Sequence, residues 1–130
     1  MAKLGAFSKK GMQTRAIEKV KRDKPLLAIG SPMCTDWSTM MNLNWGKIGP
    51  EGKEKRLKAA RKHLRFCVKL YQQQSVAGRY FLHEHPWLAT SWLLPEMDKL
   101  ASEVDVQRVR TDMCQFGMMS RSAGVGSVMG

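Results

Sequence analysis

A thiol and a carboxylate each stand at the end of a short apolar run. Cys34 follows Leu26-Leu27-Ala28-Ile29-Gly30-Ser31-Pro32-Met33, and Glu84 follows Tyr80-Phe81-Leu82-His83. An apolar run that stops at Gly-Ser-Pro reads as a buried strand giving way to a loop. Open α/β sheets bind ligands outside the C-terminal ends of their strands, which is where a nucleophile is placed. Free cysteine is also a small buried hydrophobe, and Cys67, on an apolar helical stripe, reads that way. Glu84 has a structural reading too, as an acid paired with Arg79 or His85. His63 and Cys67, four apart, and His83 and His85, on one side of a strand, have spacings that can chelate zinc. The first pair falls mid-helix and the second at a strand end, so the two are not read as one site and no metal is expected.

The elements that must position these groups follow from periodicity and punctuation. Residues from about Ser8, a plausible N-cap, to Arg22 carry Met12, Ala16, Ile17 and Val20 on one stripe and predict a helix that Lys24-Pro25 ends. Leu26 to Ile29 is then the first strand. Thr35 to Gly52 holds two tryptophans, two asparagines and three glycines, which is loop chemistry with one helical turn around Thr39 to Leu43. Glu51 to Ala77 is the clearest helix, with Leu57, Leu64, Cys67, Val68 and Tyr71 at helical spacing and Gly78 as its stop. Arg79 to Glu84 predicts a second strand, Thr90 to Ser102 (or Pro95 onward) a helix, and Val104 to Asp112 a third strand ending at a turn over Cys114 to Gly117. Strands alternating with helices imply an α/β domain with three parallel strands, whose C-terminal ends, near Cys34, Glu84 and Gly117, share one edge. One domain over residues 1–121 and a flexible Gly/Ser-rich tail over 122–130 are expected.

Charge sets the class of partner. The 130 residues carry a formal net charge of +11 with 43% apolar residues. Much of the excess is clustered at Lys9 to Lys24 and Lys53 to Lys69, which points to a polyanion and first of all to nucleic acid. Three widely spaced cysteines form no disulfide framework and fit a reducing compartment. No Cys-x-x-Cys pair is present, no apolar run is long enough to span a bilayer, and Met1 to Lys10 lacks the apolar block of a secretory signal. An intracellular protein of nucleus or cytoplasm, with no membrane partner, is the expectation.

Three blocks in order then resemble the cytosine-C5 DNA methyltransferases. Pro32-Met33-Cys34 with Ser38 four residues on is similar to the family's Pro-Cys loop. Glu84-His85-Pro86 stands where the family has Glu-Asn-Val, and Phe116-Gly117 followed by Ser120-Arg121 stands where it has an aromatic-Gly pair and Gln-x-Arg-x-Arg. The resemblance covers roughly Leu26 to Arg121. It departs in lacking the Gly-rich strand-to-helix turn and downstream acid that bind S-adenosylmethionine, and the target-recognition region. A narrower set, Lys24-Pro25-Leu26-Leu27 before Ser31-Pro32-Met33-Cys34-Thr35, then His83-Glu84-His85-Pro86 and Asp112-Met113-Cys114-Gln115-Phe116-Gly117, resembles methyltransferase-like segments of retroelement polyproteins in microbial eukaryotes.

The resemblance implies a partial Rossmann-like, methyltransferase-like domain that corresponds to the base-binding half of such an enzyme. It implies that Cys34 is a nucleophile toward C6 of cytosine, making C5 carbanion-like, and that Glu84 holds the Watson–Crick edge of the base. Ser38, Arg121 and Trp37 would be substrate-binding residues, and S-adenosylmethionine the cofactor. The base must leave the duplex to reach these groups, so DNA ahead of RNA is the implied partner, with other segments of a larger polyprotein beside it. The competing readings are a non-catalytic basic nucleic-acid-binding module and a degenerate mobile-element remnant.

Overall fold

A computed structural model describes residues 2–4, 10–117, 119–122 and 125–128. The order is β1 (Ala2–Leu4), α1 (Lys10–Asp23), β2 (Leu27–Gly30), 3-10 turns at Thr35–Trp37 and Thr39–Met41, α2 (Asn42–Ile48) and α3 (Pro50–Val76). It continues with β3 (Tyr80–His83), a 3-10 turn at Thr90–Leu93, α4 (Pro95–Ala101), a 3-10 turn at Met113–Phe116, β4 (Met119–Ser122) and β5 (Val125–Val128). The loop expected after Cys34 is thus largely helical. Among the described residues, none of the helices is long and apolar enough to cross a membrane.

The boundaries have local causes. Lys24 takes a left-handed φ of 43° and sends its N–H to Val20 O at 3.0 Å, closing α1 ahead of Pro25. Gly49, at φ 83°, turns the chain from α2 into α3, and Pro50 occupies the first turn, where its missing N–H costs nothing. Beyond Gly52, α3 contains neither glycine nor proline, and it stops where Gly78 goes left-handed at φ 70°.

β2 and β3 are parallel neighbours, in register from Leu27↔Tyr80 to Gly30↔His83, with the three-residue β1 parallel on the other side of β2. The expected third strand, Val104 to Asp112, does not form: residues 106–112 have no regular structure. Alternation holds for Val104 and Val106, then breaks as Arg108 takes the next apolar position and Val109 falls out of phase. Val104 and Val109 are exposed, so no buried face stabilises a strand there. The expected Rossmann-like arrangement, with 104–112 as its third strand, is therefore corrected to a mixed, helix-dominated fold in which the small parallel sheet has the order β1-β2-β3. In the Gly/Ser-rich C-terminal stretch, expected to be a flexible tail, β4 and β5 pair antiparallel, Met119↔Val128 to Ser122↔Val125.

The core is built on α3. Leu64, Phe66, Cys67, Val68, Leu70 and Tyr71 meet Ala16 and Val20 of α1 and Met97 and Leu100 of α4, with Phe81, Trp92 and Leu94 packed against them. Cys67 is core, as its place on the stripe predicts, and burial pushes its thiol up to about 11.

Candidate functional site

Because β2 and β3 run in parallel, the chain leaves both strands side by side. Glu84 N–H donates to Gly30 O at 2.9 Å, and Ser31 Oγ donates to Glu84 Oε2 at 2.8 Å. Cys34 lies three residues beyond Ser31, half-buried, with its carbonyl accepting Trp37 N–H at 3.0 Å to start a 3-10 turn. Cys34 and Glu84 therefore belong to one edge, and Ser31 ties the two loops together there.

A buried aromatic layer supports that edge. Tyr71 stacks on Phe81 with centroids 4.7 Å apart and shares a 2.8 Å hydrogen bond with His83 Nδ1. A Cβ on Gly30 would collide with Tyr71 Oη, so glycine is what lets α3 close on β2. The His83 and His85 rings are 5.3 Å apart, His85 Nδ1 is 2.6 Å from Ser91 Oγ, and Trp92 meets His83 edge-on at 5.5 Å. Burial, with His85 second, lowers His83 to about 4. Burial lowers His85 as well, against the opposing pull of the Glu84 charge and the Met33 main chain. Both imidazoles are thus neutral at pH 7, and among the described residues His83 Nε2 is buried without a hydrogen-bond partner. No group of three or more potential metal ligands occurs among the described residues, so the His83–His85 and His63–Cys67 pairs each stand without a third ligand there.

Two concave regions stand out, and Glu84 of the edge lines the second of them. On one side a groove of about 770 Å³ follows the first half of α3, with Trp37, Leu57 and Leu94 among its walls and Lys53, Lys58, Arg61, Lys62 and Arg65 along it. Arg56 pairs with Asp36 at 2.5 Å, and Arg61 and Arg65 converge on Glu96 at 2.9 and 2.5 Å, so the cationic helix also anchors the loop after β2 and the start of α4. Burial alone would raise the Glu96 carboxyl, but Arg65 and Arg61 hold it down to about 2. On the other side a cavity of about 820 Å³ lies between β3 and residues 105–111.

The structure divides the expected site residues. Glu84 is held at the β2–β3 edge by Ser31, and Cys34 lies three residues further along the loop that Ser31 begins. Ser38 instead caps the following 3-10 turn, its Oγ accepting Met40 N–H at 3.3 Å. Trp37 is only 6% exposed and its carbonyl accepts Thr90 Oγ1–H at 3.2 Å; it is a core anchor rather than a stacking surface. Arg121 lies on β4, with its side chain outside the described residues, as is the expected N-cap Ser8. Ser31 has no role in the sequence reading, although the parallel order of β2 and β3 puts it opposite Glu84 and so carried that signal. Arg108, which sits 4.2 Å over both Trp87 and Trp92, had no signal in its spacing.

S-adenosylmethionine does not fit the residues present. Gly30, the strand-end glycine of this edge, is occupied by Tyr71 rather than open to a ligand, and no Gly-rich turn with a downstream acid follows a strand in the sequence. No step is derived through that cofactor. Comparison with family models, curated proteins and solved structures finds no match to this chain.

Proposed function

We propose that this chain binds DNA and receives a single cytosine against the β2–β3 edge, with Cys34 and Glu84 as the groups that touch it. The observation that carries the reading is the Ser31–Glu84 hydrogen bond, which ties the carboxylate to the start of the loop that carries Cys34. Ser31 holds one carboxylate oxygen, so the other is left for the N3/N4 edge of a base. The net charge of +11 and the cationic groove along α3 supply the attraction for the phosphate backbone.

The chemistry that these two groups support needs no donor. The Cys34 thiolate adds to C6, the C5=C6 electron pair moves to C5, and C5 takes a proton from water. Loss of either C5 hydrogen and of the sulfur restores the ring, and nothing is oxidised or reduced. Glu84 stabilises the charge that builds on the pyrimidine as the sulfur adds.

The test is release of tritium from DNA carrying 5-tritiated cytosine, with no methyl donor added. Release above background, abolished by Cys34→Ser and reduced by Glu84→Gln, supports the reading. Salt-dependent binding without release overturns the thiol step. It leaves the non-catalytic basic module, which the row of cations facing the α3 groove favours in its own right.

A further inference from the structure

The cavity between β3 and residues 105–111 has a composition that the proposed site does not use. β3 is an edge strand. Tyr80 N–H and Glu84 N–H both bond toward β2, so the alternation of a parallel ladder turns the N–H and C=O groups of Phe81 and His83 toward the cavity. Trp87, 42% exposed, and Trp92 line the same space. Arg108 lies 4.2 Å from each of their ring centroids and donates Nη2–H to Trp87 O at 3.2 Å. Arg110 lies 5.8 Å over Trp87. Asp105 is the acidic residue on the far wall, and Glu84 closes the end nearest the thiol edge.

These groups fit a planar heteroaromatic ring attached to an anion. Tryptophan and guanidinium planes stack on any base, as in single-strand binders. A strand's free N–H and C=O pair offers a donor and an acceptor in one plane, as a base edge requires. The volume, about 820 Å³, lies in the range of small-ligand pockets. Arg108 and Arg110 place cations where a phosphate next to a stacked base would sit.

We infer that this cavity is a second nucleotide subsite: it stacks the base neighbouring the one presented to Cys34 and Glu84, with Trp87 and Arg108 as its contact residues. The inference rests on the proposed DNA-binding function and adds a position to it. A base bound here holds the strand in register beside the thiol edge, because Glu84 is common to both spaces.

The experiment compares two polyanions of matched charge, a single-stranded oligodeoxynucleotide and inorganic polyphosphate, which has no bases. The full chain should bind the oligonucleotide more tightly, with quenching of tryptophan fluorescence that is smaller in Trp87→Phe. Trp87→Ala and Arg108→Gln, both at exposed positions, should lower oligonucleotide affinity about tenfold and leave polyphosphate affinity within twofold. Lys62→Glu should weaken both ligands alike. Unchanged oligonucleotide affinity in Trp87→Ala and Arg108→Gln, with Lys62→Glu still weakening it, overturns the subsite and leaves DNA binding standing. If neither polyanion binds at low salt, the subsite and the proposed function fall together.

Discussion

The two halves of α3 are one continuous helix with opposite duties. From Pro50 to His63 no residue is buried, whereas from Leu64 to Gln74 seven are. The first half carries Lys53, Lys55, Arg56, Lys58, Arg61 and Lys62 and faces the groove or solvent. The second half holds both strands. Tyr71 meets Gly30 and His83 at their C-terminal ends. Gln74, fully buried, donates to Pro25 O at 2.9 Å and Tyr80 O at 3.0 Å at their N-terminal ends. The fold is thus specified by the half that is least free to vary, and the electrostatic surface is carried by the half that contributes little to the core. Substitutions in the two halves should separate stability from binding.

The sharpest break in that comparison is truncation. Leu70 is fully buried in the core cluster. Leu70→Ala should cost about 2–5 kcal/mol, the range for a buried leucine whose cavity does not collapse. The same truncation at the partly exposed Leu57 should cost well under half as much. Urea unfolding of both variants measures the difference, and equal losses would mean that the helix is stabilised uniformly along its length.

Next in size is a pH effect confined to the supporting layer behind β3. His83 is lowered to about 4, against an ordinary value of 6.5, chiefly by burial. The folded state therefore binds fewer protons than the unfolded state between those values. The neutral form's stability is full above pH 6.5 and is lost as pH falls toward 4, by at most about 3 kcal/mol for this shift. Thermal unfolding from pH 7.5 to 4 should show the loss, and His83→Gln should flatten it while lowering stability at neutral pH. A wild-type profile that is level through this window would mean that His83 is not held neutral in the fold.

Why these features were unevenly legible is a matter of range. α3, β2 and β3 were readable because each is specified locally, by helical spacing, by an apolar run or by a turn glycine. That Cys34 and Glu84 share an edge followed from strand ends and parallel order alone. The third strand was misread because Val104 and Val106 alternate like a strand, while Arg108 is drawn to Trp87 and Trp92, well back in the chain, an attraction that no local window contains. Trp37 was misread for a related reason. A tryptophan beside a candidate site reads as a substrate contact until long-range packing leaves it only 6% exposed.

A smaller effect is expected from charge on the first half of α3. Lys58→Glu with Lys62→Glu reverses two cations of the groove at exposed positions. Stability should stay within about 0.5 kcal/mol of the parent, as is usual for exposed substitutions. DNA affinity should drop at low salt, and the slope of log K against log salt should shrink by about 1 for each phosphate no longer neutralised. Fluorescence anisotropy at several salt concentrations measures both. An unchanged slope would detach the groove from the bound strand.

The smallest expected effect lies where the two duties meet. Glu96 accepts from Arg61 and Arg65, and its side chain is 19% exposed against 39% and 58% for the arginines. Pairs this open to solvent contribute little, so Glu96→Gln should cost less than about 1 kcal/mol. What it does cost should be absent at low pH. The carboxyl is held at about 2 against an ordinary 4.5, so its contribution is present above 4.5 and fades as pH falls toward 2, mostly below the window of His83. The same substitution removes a negative charge from beside the groove and releases two guanidinium groups that now neutralise it. DNA affinity should therefore rise by about twofold to fivefold, in line with exposed charge interactions of up to about 1 kcal/mol. A gain in affinity alongside a slight loss in stability is the signature of a residue that anchors α4 at the expense of the anion-binding surface. If affinity falls instead, Glu96 is positioning Arg61 and Arg65 for the strand rather than competing with it.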